Sequence, residues 1–128
     1  MAIKGGGQLS KAHERELSLV NHYVDLLETW SHVEVRPLFG AIALKRSGLV
    51  FAMVWQGALY FKVNSETREE YKRAASSTLR YYRNGKMQSL SSFWEVPLSV
   101  AEDASLLQRW AERAFQAAID ANIRNQTH

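Results

Sequence analysis

The four histidines are the residues whose chemistry is most easily tested from their spacing. They are His13, His22, His32 and His128, and no two of them have the one-turn helical spacing that brings two imidazoles to one metal ion. His22 and Asp25 do lie one helical turn apart, but such pairs are common on the solvent side of helices. The sequence therefore predicts no metal site.

Nucleophilic and cofactor chemistry has equally little support. The chain contains no cysteine, which removes disulfides and thiolate catalysis. The nucleophile elbow, the phosphate-binding loop and the dinucleotide fingerprint are absent from the sequence. Glu66, Glu69 and Glu70 form an acidic cluster, but basic residues of the same short segment surround it, which indicates a solvated ion-pair face. We therefore expect a protein that is not an enzyme and that uses no cofactor.

A basic and aromatic segment offers a binding chemistry instead. Tyr81 and Tyr82 are flanked by Arg80, Arg83 and Lys86, and rings among cations are typical of surfaces that stack single-stranded nucleic acid. The same residue types also form the cross-strand pairs that hold a hairpin together, which is the simpler interpretation. Direct nucleic-acid binding through these five residues is therefore the alternative function.

Bulk composition indicates a globular domain. The chain has 128 residues, 46% of them hydrophobic and 23% charged, with a net charge of +3. Its length suits one domain, which we expect over residues 9–125 after a flexible arm at residues 1–8. No apolar run approaches the roughly 20 residues of a membrane span, and the N-terminus lacks the apolar region of a signal peptide. We expect a cytoplasmic protein with no membrane partner.

Hydrophobic periodicity predicts helices at both ends of this domain. The first is amphipathic, about five turns long, and its apolar residues recur at helical spacing: Leu17, Val20, Val24 and Leu27. A short helix capped by Asn64 or Ser65 is expected mid-chain. The last helix is predicted to open at Ser99 and Glu102, which form a capping-box pattern.

Strand patterns fill the middle of the chain. Three consecutive strands follow the first helix, the second and third joined by a two-residue loop at Gln56-Gly57. Two more strands flank Asn84-Gly85, the strongest short hairpin signal in the sequence. The predicted order is α-β(3)-α-β(2)-α, an α+β fold of two layers with an antiparallel sheet.

The turn after the first of these strands decides which face each side chain takes. A three-residue loop at Arg46-Ser47-Gly48 pairs Leu44 with Val50 and places both on the core face. A two-residue loop at Ser47-Gly48 would turn Leu44 to the opposite face, and a slip of this kind is costly. The sequence therefore favours the three-residue loop.

With this register, the face of the sheet turned away from the core carries four large side chains: Phe51, Met53, Trp55 and Tyr60. A solvated sheet face is normally polar, whereas Trp, Tyr and Met anchor protein contacts. Either another element covers this face as additional core, or the four residues form a protein interface, with self-association as one form of it.

Several short motifs, taken in order, resemble the TfoX N-terminal domain family of Sxy-like competence regulators. They are VRPLFGAIAL, GALYFKVN, YYRNGK, FWEVP and LLQRWAERAFQAA, and the likeness extends over residues 15–120. Within the first motif, Arg36, Phe39 and Gly40 match the family pattern as structural residues, while Ala41 stands where the family has a second glycine.

The resemblance implies a fold like that of type III secretion chaperones and a non-enzymatic regulatory role. Full-length members promote the transcription of competence genes for DNA transformation together with the cyclic-AMP receptor protein, and they carry a second, helical domain. The present chain resembles the stand-alone N-terminal type. The implied partner is a protein of the transcription machinery, the cyclic-AMP receptor protein among them, or a second copy of the chain.

Overall fold

This computed structural model describes residues 11–38 and 40–126 of the chain. Within them the chain forms six strands and four helices. In chain order they are α1 (Lys11–Leu27), β1 (Glu34–Leu38), β2 (Ala41–Arg46), β3 (Leu49–Trp55), β4 (Ala58–Lys62), α2 (Thr67–Arg73), β5 (Thr78–Arg83), β6 (Lys86–Glu95), α3 (Leu98–Ala101) and α4 (Ala104–Gln126). The α+β class is confirmed. The predicted arm at residues 1–8 and the motif residue Phe39 lie outside the described residues.

The strands form one antiparallel sheet in the order β1-β2-β3-β4-β6-β5. Helix α4 packs across β3 and β4, and α1 packs against both β3 and α4. The main core lies between these helices and the sheet. Its largest fully buried side chains are Phe51, Phe61, Leu27, Leu44, Leu107, Val20 and Val54.

Strand β1 is absent from the predicted order, which has three strands in this region where the structure has four. It pairs with β2 along its length, with Pro37 opposite Ile42. Proline lacks the N–H that a central strand requires, so the sequence pattern indicated a connection rather than a strand. Because β1 is the edge of the sheet, the missing donor costs no ladder hydrogen bond on its open side.

The turn between β2 and β3 also differs from the prediction. Arg46 pairs directly with Leu49, so the loop is the two-residue Ser47-Gly48, with φ of 51° and 80°. The register then shifts between Leu44 and Lys45, where a bulge adds one residue to β3. From the sequence, a two-residue loop was expected to turn Leu44 away from the core. The extra residue in β3 compensates for the shorter loop, so Leu44 lies on the core face after all.

Side-chain caps fix the helix starts, one as predicted and one not. Asn64 Oδ1 accepts the backbone N–H groups of Glu66 (3.0 Å) and Thr67 (2.8 Å) at the start of α2, as predicted. The capping box expected at the last helix is wrong, because the chain forms the short α3 there. Helix α4 starts three residues after α3, and Asp103 Oδ1 accepts the N–H of Leu106 at 3.0 Å.

Arg46 of β2 contacts both α4 and Trp30, which lies in the turn after α1, at one corner of the main core. Its guanidinium lies 4.6 Å from the ring centroid of Trp30 and 4.4 Å from that of Phe115. Glu112 Oε1 accepts the Trp30 indole N–H at 2.9 Å and lies 3.4 Å from Arg46. Contact of this cation with both rings, with the carboxylate alongside, stabilises the packing of α4 and of the turn after α1 against the sheet.

Candidate interaction surface

The β5–β6 hairpin covers part of the sheet face that the helices leave free. Strand β6 pairs with β4 only at its end, over Phe93–Glu95, while its first half pairs with β5. A second core of three buried side chains forms beneath the hairpin: Met53, Leu79 and Phe93. The outer sheet face is therefore closed by the protein's own hairpin over β3 and β4.

The predicted protein interface loses Phe51, which the structure places on the opposite face. Its side chain is fully buried in the main core, in ring contact with Trp30 at 5.3 Å and Phe61 at 6.1 Å. The bulge in β3 causes the change, because the extra residue exchanges the faces of Val50 and Phe51. Val50 packs instead against the second core.

The remaining predicted interface residues lie on the outer face as expected, but they are covered to different extents. Met53 is 5% exposed and belongs to the second core, so its predicted exposure is wrong. Trp55 and Tyr60 are half-buried beside it. Burial raises the pKa of Tyr60, and Glu95, its partner across the strands, raises that pKa further.

Trp55 contacts both the hairpin and the turn that contains Gly40. Its indole N–H donates to the backbone carbonyl of Arg80 on β5 at 3.0 Å. On the other side, a Cβ built on Gly40 would lie 3.5 Å from Trp55 Cζ3, which is ordinary contact. Gly40 is thus required by its φ of +87° rather than by lack of space, and this family-motif residue proves to be a turn residue against the indole.

Lys62 lies at the rim of the second core. Its Nζ is 5.2 Å from the ring centroid of Phe93, the residue that it faces across the strands. Burial lowers the pKa of this lysine, and the charge of Arg124 lowers it further. Because its side chain is half-buried, Lys62 does not extend the exposed basic surface of the hairpin.

The outward side of the hairpin, which we call the hairpin face, consists of Arg80, Tyr82, Met87 and Ser89. The Asn84-Gly85 turn, with φ of 55° and 76°, sets Tyr82 directly opposite Met87 and Arg80 opposite Ser89. Tyr82 is 71% exposed and Met87 is 51% exposed. These two side chains form an exposed cross-strand apolar pair, at the spacing that lets such pairs contact each other.

The five residues predicted as nucleic-acid contacts do not share one face. Successive strand residues point to opposite sides, so Tyr82 faces outward while Tyr81 turns toward the second core, where it is half-buried. Arg80 lies on the same face as Tyr82, whereas Arg83 and Lys86 flank the turn and are exposed. Sequence reasoning missed Met87, although its position two residues after Gly85 places it opposite Tyr82.

The hairpin carries an uncompensated positive charge. Residues 78–94 include Arg80, Arg83 and Lys86 but no Asp or Glu. Among the residues that the structure describes, none of these three cations forms an ion pair with a carboxylate. The tip of the hairpin therefore combines exposed apolar side chains with unpaired basic groups.

Other parts of the described chain are less suited to a ligand. A surface cleft of about 420 Å³ between α2 and α4 contains its own ion pair, Glu70 with Arg113. His22 packs against the ring of Tyr23 at 5.3 Å. Within residues 11–38 and 40–126, no cluster of three or more His, Asp or Glu side chains is arranged to hold a metal ion.

These features define a small α+β domain whose most distinctive surface is a basic hairpin with an exposed aromatic residue. The sequence model of the TfoX N-terminal domain matches residues 25–118. The chain therefore belongs to the TfoX N-terminal domain family, as its motifs indicated.

None of the curated proteins matches the chain. Of the helices in the described part of the chain, none combines the length and the apolar character needed to cross a bilayer.

Proposed function

We propose that this domain is a regulatory module that acts by binding another protein and has no enzymatic activity. Membership of the TfoX N-terminal domain family supports a regulatory domain related to competence. Within that class, the observation that carries the proposal is the exposed pair of Tyr82 and Met87 on the hairpin face. Tyrosine and methionine are enriched at the centres of protein interfaces.

The contact surface of this proposal is the hairpin face rather than the four residues predicted from the sequence. Phe51 and Met53 are buried and cannot meet a partner without unfolding. Trp55 and Tyr60 contribute by holding the hairpin over β3 and β4. The hairpin face is exposed along its length and rests on this packed support.

The geometry favours a protein partner over nucleic acid. Single-stranded nucleic acid stacks successive bases on neighbouring aromatic rings, but Tyr81 and Tyr82 lie on opposite faces of β5. One exposed ring between scattered cations is a weaker platform for bases than for an apolar side chain. Nucleic-acid binding through Arg80, Arg83 and Lys86 is the second candidate, favoured by the absence of acidic residues from the segment.

For the partner, we expect a cytoplasmic protein of the transcription machinery, with the cyclic-AMP receptor protein as the first to be examined. A second copy of the chain is the other protein partner to examine. Both expectations rest on the regulatory role of the family and are open to the same experiment.

Site-specific photo-crosslinking in the source cells tests this function. A photoreactive phenylalanine replaces Tyr82 in one variant, and the matched control carries it at Ile123, which is 53% exposed on α4. We expect one discrete protein adduct from position 82 that is absent from position 123. Equal adducts at both positions, or none at position 82, would contradict a protein contact at the hairpin face.

Nucleic-acid binding is tested separately by the fluorescence anisotropy of labelled oligothymidine and of a short duplex at low ionic strength. We expect no saturable binding. Binding that weakens steeply as salt is added, as phosphate contacts require, would favour the second candidate over the first.

A further inference from the structure

We infer that the hairpin binds an acidic, extended segment of its partner, which lies beside β5 and places one apolar side chain on Tyr82 and Met87. This inference rests on the proposed function and names the chemical class of the partner. It follows from three properties of the hairpin: its unpaired charge, its exposed apolar pair and the free edge of β5.

The positive charge of the hairpin is not balanced by any acidic residue of its own segment. Three basic side chains elsewhere are matched with acids in the described part of the chain: Arg46 with Glu112, Lys72 with Glu69, and Arg113 with Glu70. Arg80, Arg83 and Lys86 have no such partner there, and residues 78–94 supply no acid. Complementary charge on a partner both attracts it and fixes its register.

The apolar pair supplies the anchor that charge alone lacks. Tyr82 and Met87 lie opposite each other and are more than half exposed. A flexible thioether adapts to the shape of an incoming side chain, while the tyrosine ring offers rigid contact area at little cost in conformational entropy. A single leucine or similar side chain of the partner is therefore enough to cover the pair.

The edge of β5 gives the partner its backbone direction. The two-residue turn makes Arg83 and Lys86 a hydrogen-bonded pair, so the N–H and C=O of Tyr82 point away from β6, at the outer edge of the sheet. The Arg80 carbonyl points the same way and already accepts the Trp55 indole N–H. The free edge is thus confined to the region of Tyr82.

A strand added at this edge would meet both faces of the hairpin. Alternate side chains of an added strand point to opposite sides. The side chain opposite Tyr82 would lie on the hairpin face, and one of its two neighbours would lie beside Arg83. An acidic segment with one apolar residue matches this alternation, because the apolar residue meets the apolar pair while the acids meet the cations.

Binding is tested by NMR titration of the ¹⁵N-labelled chain with a short acetylated peptide of glutamates and aspartates around one central leucine. We expect shift changes concentrated in β5, the turn and the first half of β6. Exchange of the leucine for serine in the peptide should weaken binding about tenfold, the effect of losing one buried apolar side chain. A peptide with lysines in place of the acids should not bind.

The protein variants follow the same logic. Reversal of both tip charges, Arg83→Glu with Lys86→Glu, should weaken binding of the acidic peptide about tenfold or more. Arg15→Glu with Arg109→Glu, at exposed arginines on α1 and α4, changes the net charge by the same amount and is the matched control. It should leave the affinity within about twofold, because these helices pack on the opposite face of the sheet from the hairpin. Equal losses in both proteins, or shift changes outside the hairpin, would overturn the inference.

The same titration with oligothymidine separates the two anionic classes of partner. Tighter binding of the oligonucleotide than of the peptide would replace the acidic segment with nucleic acid. Failure of the peptide to bind, with a discrete protein adduct still formed at position 82, would refute the acidic partner and leave the proposed function intact. Failure of both experiments would refute both.

Discussion

The two faces of the sheet are closed in different ways. On one face, α1 and α4 cover side chains from the central strands and form the main core. On the other face, a hairpin attached to β4 through Phe93–Glu95 covers the second core of Met53, Leu79 and Phe93. The first closure buries many large side chains, while the second buries few and leaves its own outward side exposed.

Because of this difference, we expect the elements that determine the stability of the fold to be distinct from those that contact a partner. Elements with few buried apolar contacts open at lower free energy than the main core of the same protein. The hairpin is such an element, and it also carries the exposed pair Tyr82 and Met87. We therefore expect the main core to set global stability and the second core to set the position of the contact surface.

The largest effect is expected in the main core, at Phe51. Phe51→Ala should lower the free energy of unfolding by about 3–5 kcal/mol, because a fully buried ring leaves a cavity. Urea unfolding followed by circular dichroism measures the loss. Val50→Ala, at the neighbouring residue on the other face, should cost clearly less. A reversed order would mean that the bulge does not place Phe51 inside.

Met53 probes the second core. Met53→Ala should cost about 2–3 kcal/mol and should speed amide hydrogen exchange in β5 and the first half of β6 more than in α4. The reason is that Met53 packs beneath the hairpin together with Leu79 and Phe93. Uniformly faster exchange across the chain would show that the two cores unfold as one unit and would remove the distinction drawn above.

Trp55 probes the attachment of the hairpin with a smaller change. Trp55→Phe keeps a ring near Gly40 but removes the hydrogen bond to the Arg80 carbonyl, at a cost of about 1 kcal/mol. Faster amide exchange in β5, measured by NMR, is the expected local result. Trp30→Phe is the matched control, because it removes the bond to Glu112 on the opposite side of the sheet and should leave exchange in β5 unchanged.

The smallest effect on stability is expected at the contact surface itself. Tyr82→Ser combined with Met87→Ser should change the free energy of unfolding by less than about 0.5 kcal/mol per site, as at other exposed positions. Thermal unfolding measures this. Binding of the acidic peptide should nevertheless be lost. A large drop in melting temperature would instead assign Tyr82 and Met87 to the support of the hairpin.

Local signals in the sequence predicted much of the fold. Two-residue turns at Gln56-Gly57 and Asn84-Gly85 are confirmed by the pairs Trp55 with Ala58 and Arg83 with Lys86. The cap at Asn64 is confirmed as well. These features depend on a few neighbouring residues, so a single sequence is sufficient to specify them.

The features that were missed depend on contacts between distant residues. A bulge in β3 has no local signature here, and assuming an unbroken alternation assigned Phe51 to the outer face. The strand β1 was not predicted because it contains Pro37, and a proline is compatible with a strand only where the strand lies at the edge. Alternation identified the outer face of Met53 and Trp55 but did not indicate that the hairpin folds over it.

The bulge also determines which changes in chain length this sheet can accept. Removing one residue at Phe51 would leave Arg46 opposite Leu49 and would still present Leu44 and Ala52 to the helices, because the extra residue is the one deleted. A deletion elsewhere in β3 would exchange inside for outside from that point onward. As far as sheet register is concerned, length variation is therefore permitted at Val50 and Phe51 and excluded from the rest of β3, but deletion of Phe51 itself also removes a fully buried ring from the main core.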